Sequence, residues 1–141
     1  MTLSLLLLAF AQAAASTVVP PSDWSRLPLV HLTRESSVSP NDTVAIMQLV
    51  RRQRECRTGI GPMPSPSQAP GTRMEGLRVE MILLVAPDGR FLDIRAAPGA
   101  CDRIRNYSRA IVNNRYRGRV RPPAGPAPAW YRTSLGFTWE P

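Results

Sequence analysis

Between Leu77 and Ile94 the apolar and polar positions are written as a hairpin. Leu77, Val79, Met81, Leu83 and Val85 alternate with Arg78, Glu80, Ile82, Leu84 and Ala86, the period of two that a strand needs. Pro87-Asp88-Gly89-Arg90 supplies the turn: proline pre-sets one φ, and Asp-Gly accepts the positive φ of a tight reversal. Phe91 to Ala96 reads as the returning strand, with Leu92, Ile94 and Ala96 on one face. A third strand is expected from Trp130 to Trp139. Its inward set includes Tyr131, Leu135 and Phe137, and its outward set includes Arg132, Ser134, Gly136 and Thr138. The inward residues should meet Val79, Met81, Leu83, Ile104 and Ile111 in one core.

Helical spacing appears twice. Pro40-Asn41-Asp42-Thr43 reads as a helix start with Asn41 or Asp42 as N-cap. Ile46, Leu49, Val50, Gln53 and Cys56 follow on one stripe. Asp102 is the expected cap of a second helix, whose apolar face holds Ile104, Tyr107, Ala110 and Ile111. Residues 59 to 71 hold four prolines and three glycines and read as loop. Arg121 to Pro128 reads as an extended connection. The pattern predicts an α+β fold: a three-stranded antiparallel sheet in the order 2-1-3, with both helices on one face. The third strand is then an edge with unpaired backbone groups. Either it is free, or the short apolar run Leu27 to Leu32 covers it.

Composition adds a destination. The first 22 residues carry no charged side chain, and an apolar core runs from Leu3 to Phe10. Small-x-small sites at Ala11-Gln12-Ala13 and Ala13-Ala14-Ala15 make residues 1–15 a candidate signal peptide. The core is short against the roughly 20 residues of a membrane span. No Lys or Arg precedes Leu3, so an uncleaved anchor reaching Val19 is the alternative. Residues 16–40 follow as an extended segment and 41–141 as the folded domain. Export also frames Cys56 and Cys101, the only cysteines. They form either a disulfide or a pair of buried thiols, and an oxidising compartment favours the disulfide.

Charge and chemistry narrow the classes. The formal net charge is +8, and all 18 basic residues are arginine. They are scattered, and neither a stacking platform nor a groove-entering motif accompanies them, so no nucleic-acid partner is expected. An anionic envelope lipid or polysaccharide surface suits the same field. His31 is the only histidine, which leaves a zinc site short of ligands. No spacing of nucleophile, base and acid stands out. The chain therefore reads as a binding protein without catalytic residues, metal or cofactor.

The order of elements resembles the TonB C-terminal domain family over about residues 60 to 141. The resemblance rests on Val85, Asp88, Gly89, Arg90, Phe91 and Ile94, then Gly99 and Ala110-Ile111-Val112. Val120-Arg121-Pro122 and the Leu135-x-Phe137 ending complete it. Three features depart from the family pattern. Pro98-Gly99-Ala100 stands where Ser-Ser-Gly is common, the Trp-x-Phe-x-Pro run has its nearest counterpart, with extra residues, in Tyr116 to Pro122, and the long Pro-Lys-rich linker of an energy transducer is missing. The resemblance implies a periplasmic module whose third strand pairs with an extended segment of an outer-membrane transporter or other envelope protein. Arg132, Ser134, Gly136 and Thr138 match the partner-facing side of that strand.

Overall fold

The computed structural model describes residues 18–32, 38–63, 73–118, 120 and 127–141. In chain order the elements are α1 (Pro40–Arg52), β1 (Gly61–Met63), β2 (Met74–Val85), β3 (Phe91–Ala96), α2 (Asp102–Arg115) and β4 (Ala129–Trp139). The expected signal peptide at 1–15 lies outside the described residues, as does most of the 121–128 connection.

Strand β2 is the axis of an open, antiparallel, four-stranded sheet. Along one edge it pairs with β4 from Glu75↔Trp139 to Val85↔Ala129. Along the other it pairs with β3 near its end and with β1 near its start. The expected order, with the hairpin strand flanked by the other two, is what forms. Strand β1 was not expected, because proline and glycine hide a three-residue strand inside a segment that composition reads as loop. Gly76 stands opposite Gly61 in that pairing, and a Cβ there would press on the Phe137 carbonyl oxygen of β4 and lie 2.8 Å from the Met63 side chain of β1. Gly89, at φ 88°, closes the β2–β3 turn as the Asp-Gly pattern requires.

Both helices cover one face. Ile46 and Val50 of α1 and Ile104, Ile111 and Val112 of α2 join Leu77, Val79, Met81, Leu83, Tyr131, Leu135 and Phe137 in one buried cluster. The expected strand register therefore holds. On the second face, Ile82, Leu84 and Trp130 are buried beneath Val18, Trp24 and Leu27 of the N-terminal segment. That cover explains why β2 is apolar on both sides.

Several local expectations change. Ser39, not Asn41 or Asp42, caps α1: its side chain accepts from the Asp42 backbone N–H, while the Asp42 carboxylate accepts from the Ser39 N–H. Pro40 then occupies the first helical position, where its missing N–H costs nothing. Helix α1 stops at Arg52, and Cys56 lies in a separate 3-10 turn, Arg54–Arg57. Arg57 bonds back to the carbonyls of Val50 and Arg51 at 3.2 and 3.1 Å, so it serves the end of α1 directly. Cys101, not Asp102, is the N-cap residue of α2. On α2, Val112 and Ser108 are buried and Ala110 is exposed, a rotation of the expected stripe by part of a turn. Leu92 also leaves the face of Ile94 and Ala96. The register shifts between Leu84 and Val85, so Leu92 is the extra residue of a bulge and stands half-exposed.

Cys56 and Cys101 form a disulfide, with their Cα atoms 4.8 Å apart. No helix among the described residues is long and apolar enough to cross a membrane. The disulfide is consistent with an oxidising extracytoplasmic space.

Replacing both cysteines with alanine should lower the unfolding free energy by about 2–5 kcal/mol, since the link closes a long loop of the unfolded chain. Urea denaturation with and without reductant measures this, and equal midpoints would show that the link adds nothing. Leu135 is 4% exposed in the middle of the core. Leu135→Ala should cost about 2–5 kcal/mol by the same measurement, through the cavity it leaves.

Candidate interaction surface

The candidate residues lie on β4, which is paired on one side only. In an antiparallel ladder the backbone groups of successive residues point to opposite edges. Arg132 shows which way the even positions face. Its N–H donates to the Pro28 carbonyl, and its carbonyl accepts from the Val30 N–H, both at 2.9 Å. Leu29 thus forms an isolated parallel bridge to Arg132 on the side away from β2. The Arg132 guanidinium also donates from Nε to the Leu27 carbonyl at 2.9 Å, and Trp130 Nε1 donates to the Val18 carbonyl at 3.3 Å. Of the two alternatives for this edge, coverage by residues 27–32 therefore holds at Arg132.

Beyond Arg132 the edge changes character. By the same alternation the backbone groups of Ser134, Gly136 and Thr138 face outward, and none has a backbone partner among the described residues. Ser134 accepts a long hydrogen bond, 3.5 Å, from Arg78 Nη1. Gly136 is exposed, while Ser134 and Thr138 are half-buried. A shallow cleft lined by His31, Arg78, Glu80, Arg132 and Ser134 runs beside them. The structure thus brings the four partner-facing residues onto one face of one strand. It commits Arg132 to the chain's own N-terminal segment, and the backbone that follows has no partner among the described residues.

One cluster of titratable groups was missed from the sequence. Five donors converge on the buried Asp42 carboxylate: the Ser39 N–H at 3.0 Å, the Ser39 hydroxyl at 2.8 Å, the Tyr107 hydroxyl at 2.9 Å, and Nη1 and Nη2 of Arg115. The Ser39-x-x-Asp42 spacing was a legible capping box. The reach of Tyr107 and Arg115 across from α2 was not, because it joins residues 65 and 73 positions away. Burial alone would raise the Asp42 pKa, but the bonds from Arg115, Ser39 and Tyr107 outweigh it and hold the group at about 2. Burial and the Asp42 bond together push the Tyr107 hydroxyl up, and the same carboxylate raises Arg115. A carboxylate has about four acceptor sites, and here they are occupied. The arrangement is suited to fastening α1 to α2 rather than to accepting a proton from a substrate. Among the described residues no group of three or more His, Cys, Asp or Glu side chains converges as a metal site would.

The Asp42 cluster gives stability a defined pH window. Its folded pKa, about 2, lies below the ordinary 3.8, so the stabilisation is complete above the unfolded value and lost as pH falls toward 2. The shift corresponds to roughly 2 kcal/mol. Asp42→Asn should therefore destabilise the protein at neutral pH and flatten the acid limb, the two proteins converging near pH 2. An acid limb of unchanged size in the variant, followed by chemical denaturation from pH 6 to 2, would count against this role.

Compared with protein-family models, with curated proteins and with solved structures, the chain matches none of them.

Proposed function

We propose that this chain is an exported, periplasmic protein-interaction module, built like the TonB C-terminal domain family and without catalytic activity. On this reading it binds an extended segment of an envelope or outer-membrane protein by strand addition at the edge of its sheet. The carrying observation is the behaviour of β4. At Arg132 an extended segment of the chain itself is already bonded to that edge, and the backbone of Ser134, Gly136 and Thr138 continues the same row without a described partner. Backbone pairing supplies affinity in this mode, and side-chain pockets supply specificity. The small, exposed Gly136 permits close approach of a second backbone. The pairing of the hairpin with β4, and the two helices on one face, are what the resemblance implied.

A second reading rests on a different surface. Arg51, Arg52, Arg54 and Arg57 are exposed together where α1 ends, and they suit an anionic lipid or polysaccharide of the envelope. The two readings separate by salt. Contacts of exposed charge weaken as the Debye length shortens, whereas backbone pairing changes little.

The immobilised full chain should retain its envelope partner between low and high salt. The Ser134 N–H faces away from β2, so Ser134→Pro removes a docking donor and leaves that ladder intact. Ser134→Pro should reduce capture strongly and Ser134→Ala barely, with circular dichroism confirming that both fold. Equal capture by the proline variant, or release of the partner by salt alone, would remove the strand-addition mechanism.

A further inference from the structure

The edge of β4 already holds an occupant, and that occupant is the chain itself. Leu29 bridges Arg132 in parallel through two backbone bonds, from the Arg132 N–H to the Pro28 carbonyl and from the Val30 N–H to the Arg132 carbonyl. The ladder extends in neither direction. Position 28 faces β4 but is proline, so it has no N–H to give. Onward, a parallel ladder would next join the Ser134 N–H to the Val30 carbonyl and the Leu32 N–H to the Ser134 carbonyl. Neither bond is formed.

The side chains nevertheless alternate as in a strand. Val30 and Leu32 pack against the cluster beneath the helices, while Leu27 lies on the opposite face with Ile82, Leu84 and Trp130. Leu29 is 49% exposed between them. His31 and Leu32 then line, with Thr133 and Ser134, a cleft of about 260 Å³. A strand bonded to Ser134 lies about 4.8 Å from β4, and so enters the space that residues 31 and 32 line.

The segment is held unequally along its length. Leu27 has its apolar contacts, and its carbonyl accepts from Arg132 Nε at 2.9 Å. Beyond it, the two bonds at Arg132 and the contacts of Val30 and Leu32 hold residues 28–32 to the edge. Those five residues can leave β4 while Val18, Trp24 and Leu27 keep their cover over the second face.

We propose that Pro28–Leu32 is an internal occupant of the partner's site. The partner strand displaces it, takes over its bonds to Arg132, and sets two apolar side chains at alternate positions in the places of Val30 and Leu32. This inference rests on the strand-addition reading, and adds to it the kind of strand recognised and the contact that keeps the site closed. A strand that continues past Arg132 gains the outward groups of Ser134, Gly136 and Thr138, none of which bonds to residues 28–32. The tether gives the internal segment a high effective concentration, which a partner must overcome.

The test uses the full chain and a dye-labelled decapeptide, read by fluorescence anisotropy. The peptide has the sequence of residues 27–32 followed by threonine, valine, threonine and valine, so that it reaches Thr138 in the same register. Val30→Pro in the chain removes the internal donor to Arg132 and should tighten peptide binding at least about tenfold. Leu29→Pro, at a position whose N–H faces away from β4, is the matched control and should leave the affinity unchanged. Aspartate in the peptide at the two places of Val30 and Leu32 should abolish binding. In the unaltered chain, saturating peptide should speed hydrogen exchange of the Val30 amide, a readout that does not depend on the folding of any variant. Equal affinity for Val30→Pro and the unaltered chain, unchanged exchange at Val30, or equal binding of the aspartate peptide would overturn the internal occupant. Should amide shifts then still move along Ser134–Thr138, strand addition would stand without it. Shifts absent from β4 altogether would overturn both.

Discussion

Strand β2 must be covered on both faces and bonded on both edges, because its side chains are apolar in both directions from Met81 to Ala86. Each neighbour meets one of those demands. The helices cover the odd-numbered side chains, and Val18, Trp24 and Leu27 cover Ile82 and Leu84. Strand β4 satisfies one row of backbone groups over eleven register pairs, while β3 and β1 share the other row. An apolar face left open would remain in contact with water, and a buried row of peptide groups left unpaired would cost more still. The N-terminal segment is thus part of the folded unit and not a tail attached to it.

The helix layer is fastened at both ends of α2 by ties of different chemistry. Cys101 at its start is bonded to Cys56, just beyond the end of α1. Arg115 at its end is bonded to Asp42, in the first turn of α1. The helices therefore run in opposite directions and are held at two separated points. The first tie depends on an oxidising surrounding and the second on an ionised carboxylate. Together they hold α2 against α1 at both ends.

Peptide edges are a hazard that folded sheets usually cover or blunt. This sheet treats its two long edges differently. On β4, residues 28–30 take the position at Arg132 and the following backbone has no partner among the described residues. On β3, α2 stands alongside, Arg105 closes one end, and Arg109 gives the opening a positive charge. The first arrangement is the one on which the proposed strand addition rests.

Period-two alternation and the Asp88-Gly89 turn were enough to place the hairpin, the register of β4 and the inward set Tyr131, Leu135 and Phe137. They are local properties, and a slip of one residue would reverse every side chain. Strand β1 was not legible, because Gly61-Pro62-Met63 has no strand pattern of its own and is a strand only through its pairing with Met74, Glu75 and Gly76 of β2. The sequence pointed to Asn41 or Asp42 as the cap of α1 and missed Ser39, although its spacing to Asp42 is local; the bonds from Tyr107 and Arg115 come from another helix. Of the candidate site, the outward alternation of Arg132, Ser134, Gly136 and Thr138 was written in the strand. Which of their backbone groups are already bonded was decided by where residues 27–32 lie. Alternation and turn chemistry act between neighbours in sequence, whereas caps shared between helices, covered edges and grooves need two segments that only the folded chain brings together.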